Sequence, residues 1–201
     1  MSLKKPFCYM VPILFLILAV QAQVWAGEPT DAIKRTSDKI LAIVTDPGLK
    51  DAARADERKS LIRKAVDERF DWEEMSRRSL ARHWAQRTDE EKKEFIEVYG
   101  HLLERTYMDK VEGYSGEKVY YVGEEVDGAY GAVDVKIVTL KNVEIPVQYR
   151  LKKKGNEWFV YDISIEGVSL VNNYRAQFNS ILMNSSYKEL VKKLKDKMVE
   201  K

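Results

Sequence analysis

The sequence predicts an α+β domain, with helices wrapped around a twisted antiparallel sheet. Two observations carry this. Apolar residues recur with a period near 3.6 up to about Gly113, switch to alternation between Lys118 and Ile165, and return to 3.6 beyond Gly167. The turns between the alternating runs are also short, which makes successive strands antiparallel neighbours rather than parallel strands joined by crossovers.

The elements follow in order. Residues 1–26 read as a removable leader. Lys4 and Lys5 precede an apolar run from Pro6 to Val20, and the small residues Val24 and Ala26 suit cleavage after Ala26. The run falls short of the about 20 residues that a membrane span needs, so an uncleaved anchor is the lesser alternative. Residues 27–201 then form a single domain. Asp31 to Thr45 carries Ile33, Ile40, Leu41 and Val44 at helical spacing and stops at Asp46-Pro47-Gly48. Glu57 to Phe70 carries Leu61, Ile62, Ala65, Val66 and Phe70. Asp71 caps a third helix reaching Trp84, with Glu74 three residues on. Thr88 and Glu91 box the start of a fourth, striped by Phe95, Val98, Tyr99, Leu102, Leu103 and Tyr107.

Strands are expected over 118–122, 131–140, 143–151 and 157–165, with Lys154-Gly155-Asn156 as a hairpin turn. After Gly167 a helix is striped by Val171, Tyr174, Phe178, Ile181 and Leu182. Ser186 and Glu189 box a final lysine-rich helix.

Composition excludes several functions. Lys+Arg is 34 and Asp+Glu 32, which leaves no basic footprint for nucleic acid. Loss of the leader removes Lys4, Lys5 and the lone Cys8 but no acid, giving a balanced, cysteine-free chain suited to an oxidising compartment. With His83 and His101 on separate helices and no cysteine cluster, no metal centre is expected. Gly113-Tyr114-Ser115-Gly116 lacks the spacing and the following helix of a nucleophile elbow and reads as a helix-ending turn. Asp162 is the exception among the acids. It stands in an apolar strand and needs partners, either to pin a loop or an arginine (Arg175 is the nearest downstream) or to act as a base.

Two segments carry a family resemblance. Phe70-Asp71, Met75, Leu80-Ala81 and Trp84 resemble the signature of the MlaC-type phospholipid-binding proteins, the toluene-tolerance auxiliary family. Tyr161-Asp162-Ile163, Gly167-Val168-Ser169-Leu170-Val171 and Asn173-Tyr174-Arg175 to Gln177-Phe178 resemble that family's long strand-to-helix segment. Phe95 to Tyr107 is similar to its central helix. Ala81 departs from the usual glycine, a difference expected to concern helix packing.

The resemblance implies a sheet of nuclear-transport-factor-like or cystatin-like form, with a lipid cavity between sheet and helices. It implies a periplasmic monomer that carries glycerophospholipid between an outer-membrane lipoprotein–porin complex and the substrate-binding ring of an inner-membrane ABC transporter. Such transport maintains outer-membrane lipid asymmetry without cofactor or catalysis. The stripes nominate as cavity wall Phe70, Met75, Leu80, Tyr99, Leu103, Tyr107, Val133, Val135, Val147, Tyr149, Val171, Tyr174 and Phe178. For any of these, simple core is the alternative, above all near helix crossings. The rival functions are an exported small-ligand enzyme with Asp162 as base, and an adaptor or chaperone with a filled core.

Overall fold

The computed structural model describes residues 27–199, so the leader expected at residues 1–26 lies outside the described residues. Six helices pack with a five-stranded antiparallel sheet. The first helix, α1 (Glu28–Thr45), opens with a proline and two acids in its first turn. It is stopped where the Asp46 side chain accepts from Gly48 N at 2.7 Å. Helix α2 spans Ala55–Asp67.

The sequence extends α2 to Phe70, and the structure corrects this. The backbone leaves the helix to pair with the fourth strand, β4 (Glu157–Ile165). Asp71 N donates to Val160 O at 2.8 Å, and Val160 N donates to Arg69 O at 2.9 Å. These bonds satisfy groups that a longer helix would have used internally.

Helix α3 (Trp72–Leu80) begins with the expected cap, Asp71 Oδ1 accepting from Glu74 N at 3.1 Å. It ends four residues before Trp84 is reached, because Ala81 adopts φ 47 and ψ −122. A short 3-10 stretch over Ala81–Gln86 holds Trp84 instead. The Ala81 departure is therefore a matter of backbone conformation, not of packing. This region of φ/ψ favours glycine and costs a residue with a Cβ about 1–3 kcal/mol. Ala81→Gly is expected to stabilise the fold by about 1 kcal/mol, read as a higher midpoint in urea with unchanged slope.

Glu74 is buried and held by Arg77 Nη2 at 2.6 Å and Arg78 Nε at 2.8 Å. Burial works to raise its carboxyl, but the hydrogen bonds from both arginines outweigh it and hold the pKa below the ordinary 4.5. The folded state thus binds this proton less tightly than the unfolded chain. The stability contributed is complete above about pH 4.5 and is lost as pH falls through the lower folded value. Melting temperature against pH should therefore fall less steeply below pH 4.5 for Glu74→Gln than for the unmodified chain. Equal slopes would remove Glu74 from the acid response.

Helix α4 (Asp89–Glu112) has both bonds of the expected capping box and ends at Gly113. Strands β1 (Lys118–Asp127), β2 (Tyr130–Val138), β3 (Glu144–Lys154), β4 and β5 (Val168–Ser169) pair in sequence order, all antiparallel. β1 runs five residues past the expected Val122. A bulge between Tyr121 and Gly123 breaks the alternation there, and β1 is an edge strand. Helix α5 (Leu170–Asn184) is capped by Ser169, and α6 (Tyr187–Val199) begins where Ser186 Oγ accepts from Glu189 N at 3.2 Å.

The interior forms two clusters. One is helical, built on α3, α4, α5 and α6 around Phe95, Tyr99 and Phe178. The other joins α1 to the sheet around Val133, Leu151 and Val160. Phe70, at the α2–α3 junction, packs against both.

Candidate functional site

The register puts one apolar face of the sheet in rows. Val133 is opposite Tyr149, Val135 opposite Val147, and Ile137 opposite Ile145. β1 adds Tyr121 beside Val135 and Val119 beside Ile137, and β4 adds Ile163 beside Tyr149. Because side chains alternate along each strand, all of these share a face. Its Gly131–Leu151 end is closed by α1. There a Cβ on Gly131 would lie 3.2 Å from both Pro29 Cγ and Trp158 Cζ3, so any larger residue would push these two side chains back by a few tenths of an ångström.

Burial fades along the face. Val133 is 0% exposed, Val135 3% and Val147 7%, whereas Val119, Tyr121, Ile137, Ile145 and Ile163 are only half-buried. Tyr149 is also half-buried, although Val133 opposite it and Leu151 two residues along are sealed. It lies mid-sheet, and burial, with Tyr121 adding to it, still pushes its hydroxyl up to about 12. Tyr149 thus keeps some accessible surface while its ring packs on the sheet cluster.

The expected wall residues are divided between the two clusters. Met75, Leu80, Tyr99, Leu103, Val171, Tyr174 and Phe178 are buried in the helical one, with Tyr107 half-buried against it. Tyr99 meets Tyr174 at 5.3 Å and Phe178 at 5.5 Å between ring centroids, both edge-on. Val133, Val135 and Val147 lie in the sheet cluster with Tyr149 packed on it, and Phe70 joins the two. The half-buried members, Phe70, Tyr107 and Tyr149, are the ones that still offer surface to a ligand. Sequence reasoning did not nominate Val119, Tyr121, Ile137, Ile145 and Ile163, which share the same half-buried apolar face. The signal for Ile137 and Ile145 was present, since each continues the alternation of the strand face already chosen.

Two surface grooves lie elsewhere. One of about 490 Å³ runs between α4 and α6, past Glu91, Glu94, Tyr187 and Lys192. One of about 420 Å³ runs between α1 and α2, past Ile43, Leu49 and Leu61. Neither is lined by an expected wall residue.

Asp162 is 3% exposed and pins the β4–α5 junction. Its Oδ1 accepts from Val171 N at 3.1 Å, and its Oδ2 accepts from Ser169 Oγ at 2.7 Å and Arg150 Nη1 at 3.4 Å. The guanidinium is Arg150's, from the neighbouring strand, rather than that of Arg175. Arg175 Nε instead donates to Arg78 O at 2.8 Å and ties α5 to α3. Of the histidines, His83 sits 3.1 Å from Asn179 Oδ1, and His101 3.2 Å from Glu104 Oε2. Among the described residues no group of three or more His, Cys, Asp or Glu is placed to hold a metal ion, and no helix is long and apolar enough to cross a membrane.

The family model described as MlaC protein matches residues 34–196. The chain belongs to the MlaC family. That match begins in α1 and ends in α6, so it takes in the whole apolar face and all but the edges of the two clusters, Ala32 and Ile33 of the sheet cluster lying just before it. A curated relative is the intermembrane phospholipid transport system binding protein MlaC of Haemophilus influenzae, 20% identical over 198 residues, covering 96% of this chain and 92% of the relative. Among solved structures, a phospholipid-binding protein from Ralstonia solanacearum in complex with a phospholipid superposes with a TM-score of 0.77 at 25% identity. That superposition covers 86% of this MlaC-family chain and 98% of the other.

Proposed function

We propose that this MlaC-family chain is a soluble periplasmic phospholipid carrier, exported by a leader cut after Ala26. It shuttles glycerophospholipid between the outer membrane and an inner-membrane ABC transporter and so maintains outer-membrane lipid asymmetry. The observation that carries this reading is the shared fold with a protein solved around a phospholipid. The half-buried apolar face between sheet and helices gives acyl tails a place to go.

Moving a two-tailed lipid through water exposes roughly thirty methylenes at about 0.8 kcal/mol each, on the order of 24 kcal/mol. An apolar interior removes that penalty, and so does a bilayer. Exchange between the two is therefore near balance, and direction comes from contacts with the transporter ring at one membrane and the lipoprotein–porin complex at the other. The carrier works as a monomer without a cofactor, the phospholipid being cargo. Both oxygens of Asp162 are already engaged by the β4–α5 junction, which favours a structural carboxylate over a base.

Protein purified without detergent should release about one equivalent or more of phospholipid on extraction with organic solvent, identified by mass spectrometry. Solvent extracts free of phospholipid, together with no uptake from vesicles, would overturn the reading.

A further inference from the structure

The Tyr149 hydroxyl is a polar group with no hydrogen-bond partner among the described residues. Interior tyrosine hydroxyls are ordinarily partnered. Here Tyr99 takes Ser79 at 3.1 Å, and Tyr187 donates to Glu91 O at 2.7 Å. At Tyr121 the Ser37 hydroxyl, and at Tyr174 the Thr106 hydroxyl, opposes the upward push of burial. Among the described residues Tyr149 has no such partner, and its hydroxyl is not one of the atoms sealed from solvent. Tyr107, half-buried on α4, is the other tyrosine raised by burial without a partner. Tyr149 differs from it in place. It stands in the middle strand of the apolar face, between Val133 and Ile163 across the ladder and between Val147 and Leu151 along its own strand.

These surroundings restrict what can accept from the hydroxyl. Acyl tails carry no acceptor. A phosphate is an anion, and the side chains flanking Tyr149 on the face, Val133, Val147, Leu151 and Ile163, are all apolar and give it nothing to offset its desolvation. The ester carbonyls of a diacylglycerol lipid are neutral acceptors at the boundary between tails and head group, and they tolerate an apolar setting once they receive one hydrogen bond.

We propose that the Tyr149 hydroxyl donates to an ester carbonyl of the bound lipid and so fixes how deeply its tails enter between sheet and helices. This rests on the phospholipid-carrier reading and adds to it a class of cargo, ester-linked over ether-linked phospholipid. Tails of varied length are accommodated beyond a fixed point, because the anchor is at the glycerol and not at the tail ends.

The test uses delipidated protein and vesicles holding equal amounts of a diester and a dialkyl-ether phosphatidylcholine of matched chain length. Loaded lipid is counted by mass spectrometry. The unmodified chain should take the diester in preference by about fivefold to tenfold, the value of one net hydrogen bond. Tyr149→Phe should lose the preference, the diester-to-ether ratio of the lipid it loads falling to about one. It keeps the ring and loses only an unpartnered hydroxyl, so its fold should hold. Equal uptake by the unmodified chain, or a preference kept by Tyr149→Phe, overturns the proposal, water then being the hydroxyl's partner. Failure of the unmodified chain to load either lipid overturns the carrier reading itself, a different result.

Discussion

Asp162→Asn is expected to lower the melting temperature by about 6–12 °C, corresponding to about 3 kcal/mol in a domain of this size. The amide keeps the shape of the carboxylate but not its charge, and one of its two ends becomes a donor. It must then face either Val171 N or the Ser169 and Arg150 donors, all of which need an acceptor. Most of the loss comes from the Val171 and Ser169 bonds. The Arg150 side chain is 41% exposed and 3.4 Å away, so its share is small. Lipid retention should weaken only as far as the fold loosens. An unchanged melting temperature with loss of a measurable hydrolytic or isomerase activity would restore Asp162 as a base and remove the carrier reading.

Ile137→Glu and Ile145→Glu are each expected to cut bound phospholipid more than tenfold while leaving circular dichroism and melting behaviour near those of the parent. Each side chain is half-buried on the apolar face, so a carboxylate there reaches water in the empty form but meets acyl chains in the loaded one. The same substitution at Val135 or Val147 should act differently. Those residues are sealed in the α1–sheet cluster, and an unpaired charge there unfolds the domain before it says anything about lipid. Lipid binding that survives Ile137→Glu and Ile145→Glu together would take the sheet face out of the binding surface.

Much of the fold was legible because its signals are local. The Thr88–Glu91 box, the Asp71 cap, the Asp46-Pro47-Gly48 stop and the Lys154-Gly155-Asn156 hairpin each act within a few residues, and each is found where the sequence puts it. What escaped was set by distant partners. Phe70 continues a helical stripe, yet its backbone is claimed by Val160, ninety positions along the chain. Ala81 looks like one more helical residue, yet at the break between α3 and the 3-10 stretch its φ is 47. The division of the wall residues into two clusters follows from which helix lands on which sheet end, and periodicity is silent on that. Periodicity also cannot separate a sealed apolar side chain such as Val133 from an accessible one such as Tyr149, since both simply point inward.

The bulge in β1 has a colloidal consequence. An unpaired strand edge invites a second molecule to add its own strand, and Tyr120, Val122 and Val126 make this edge sticky. The bulge between Tyr121 and Gly123 interrupts it midway. An incoming strand can follow the ladder for only a short run on either side before its register fails. On the far side it also meets Glu124, Glu125 and Asp127, whose charges repel a copy of themselves. A chain with a single cysteine, and so no internal disulfide to hold it shut, is thereby kept from polymerising edge to edge.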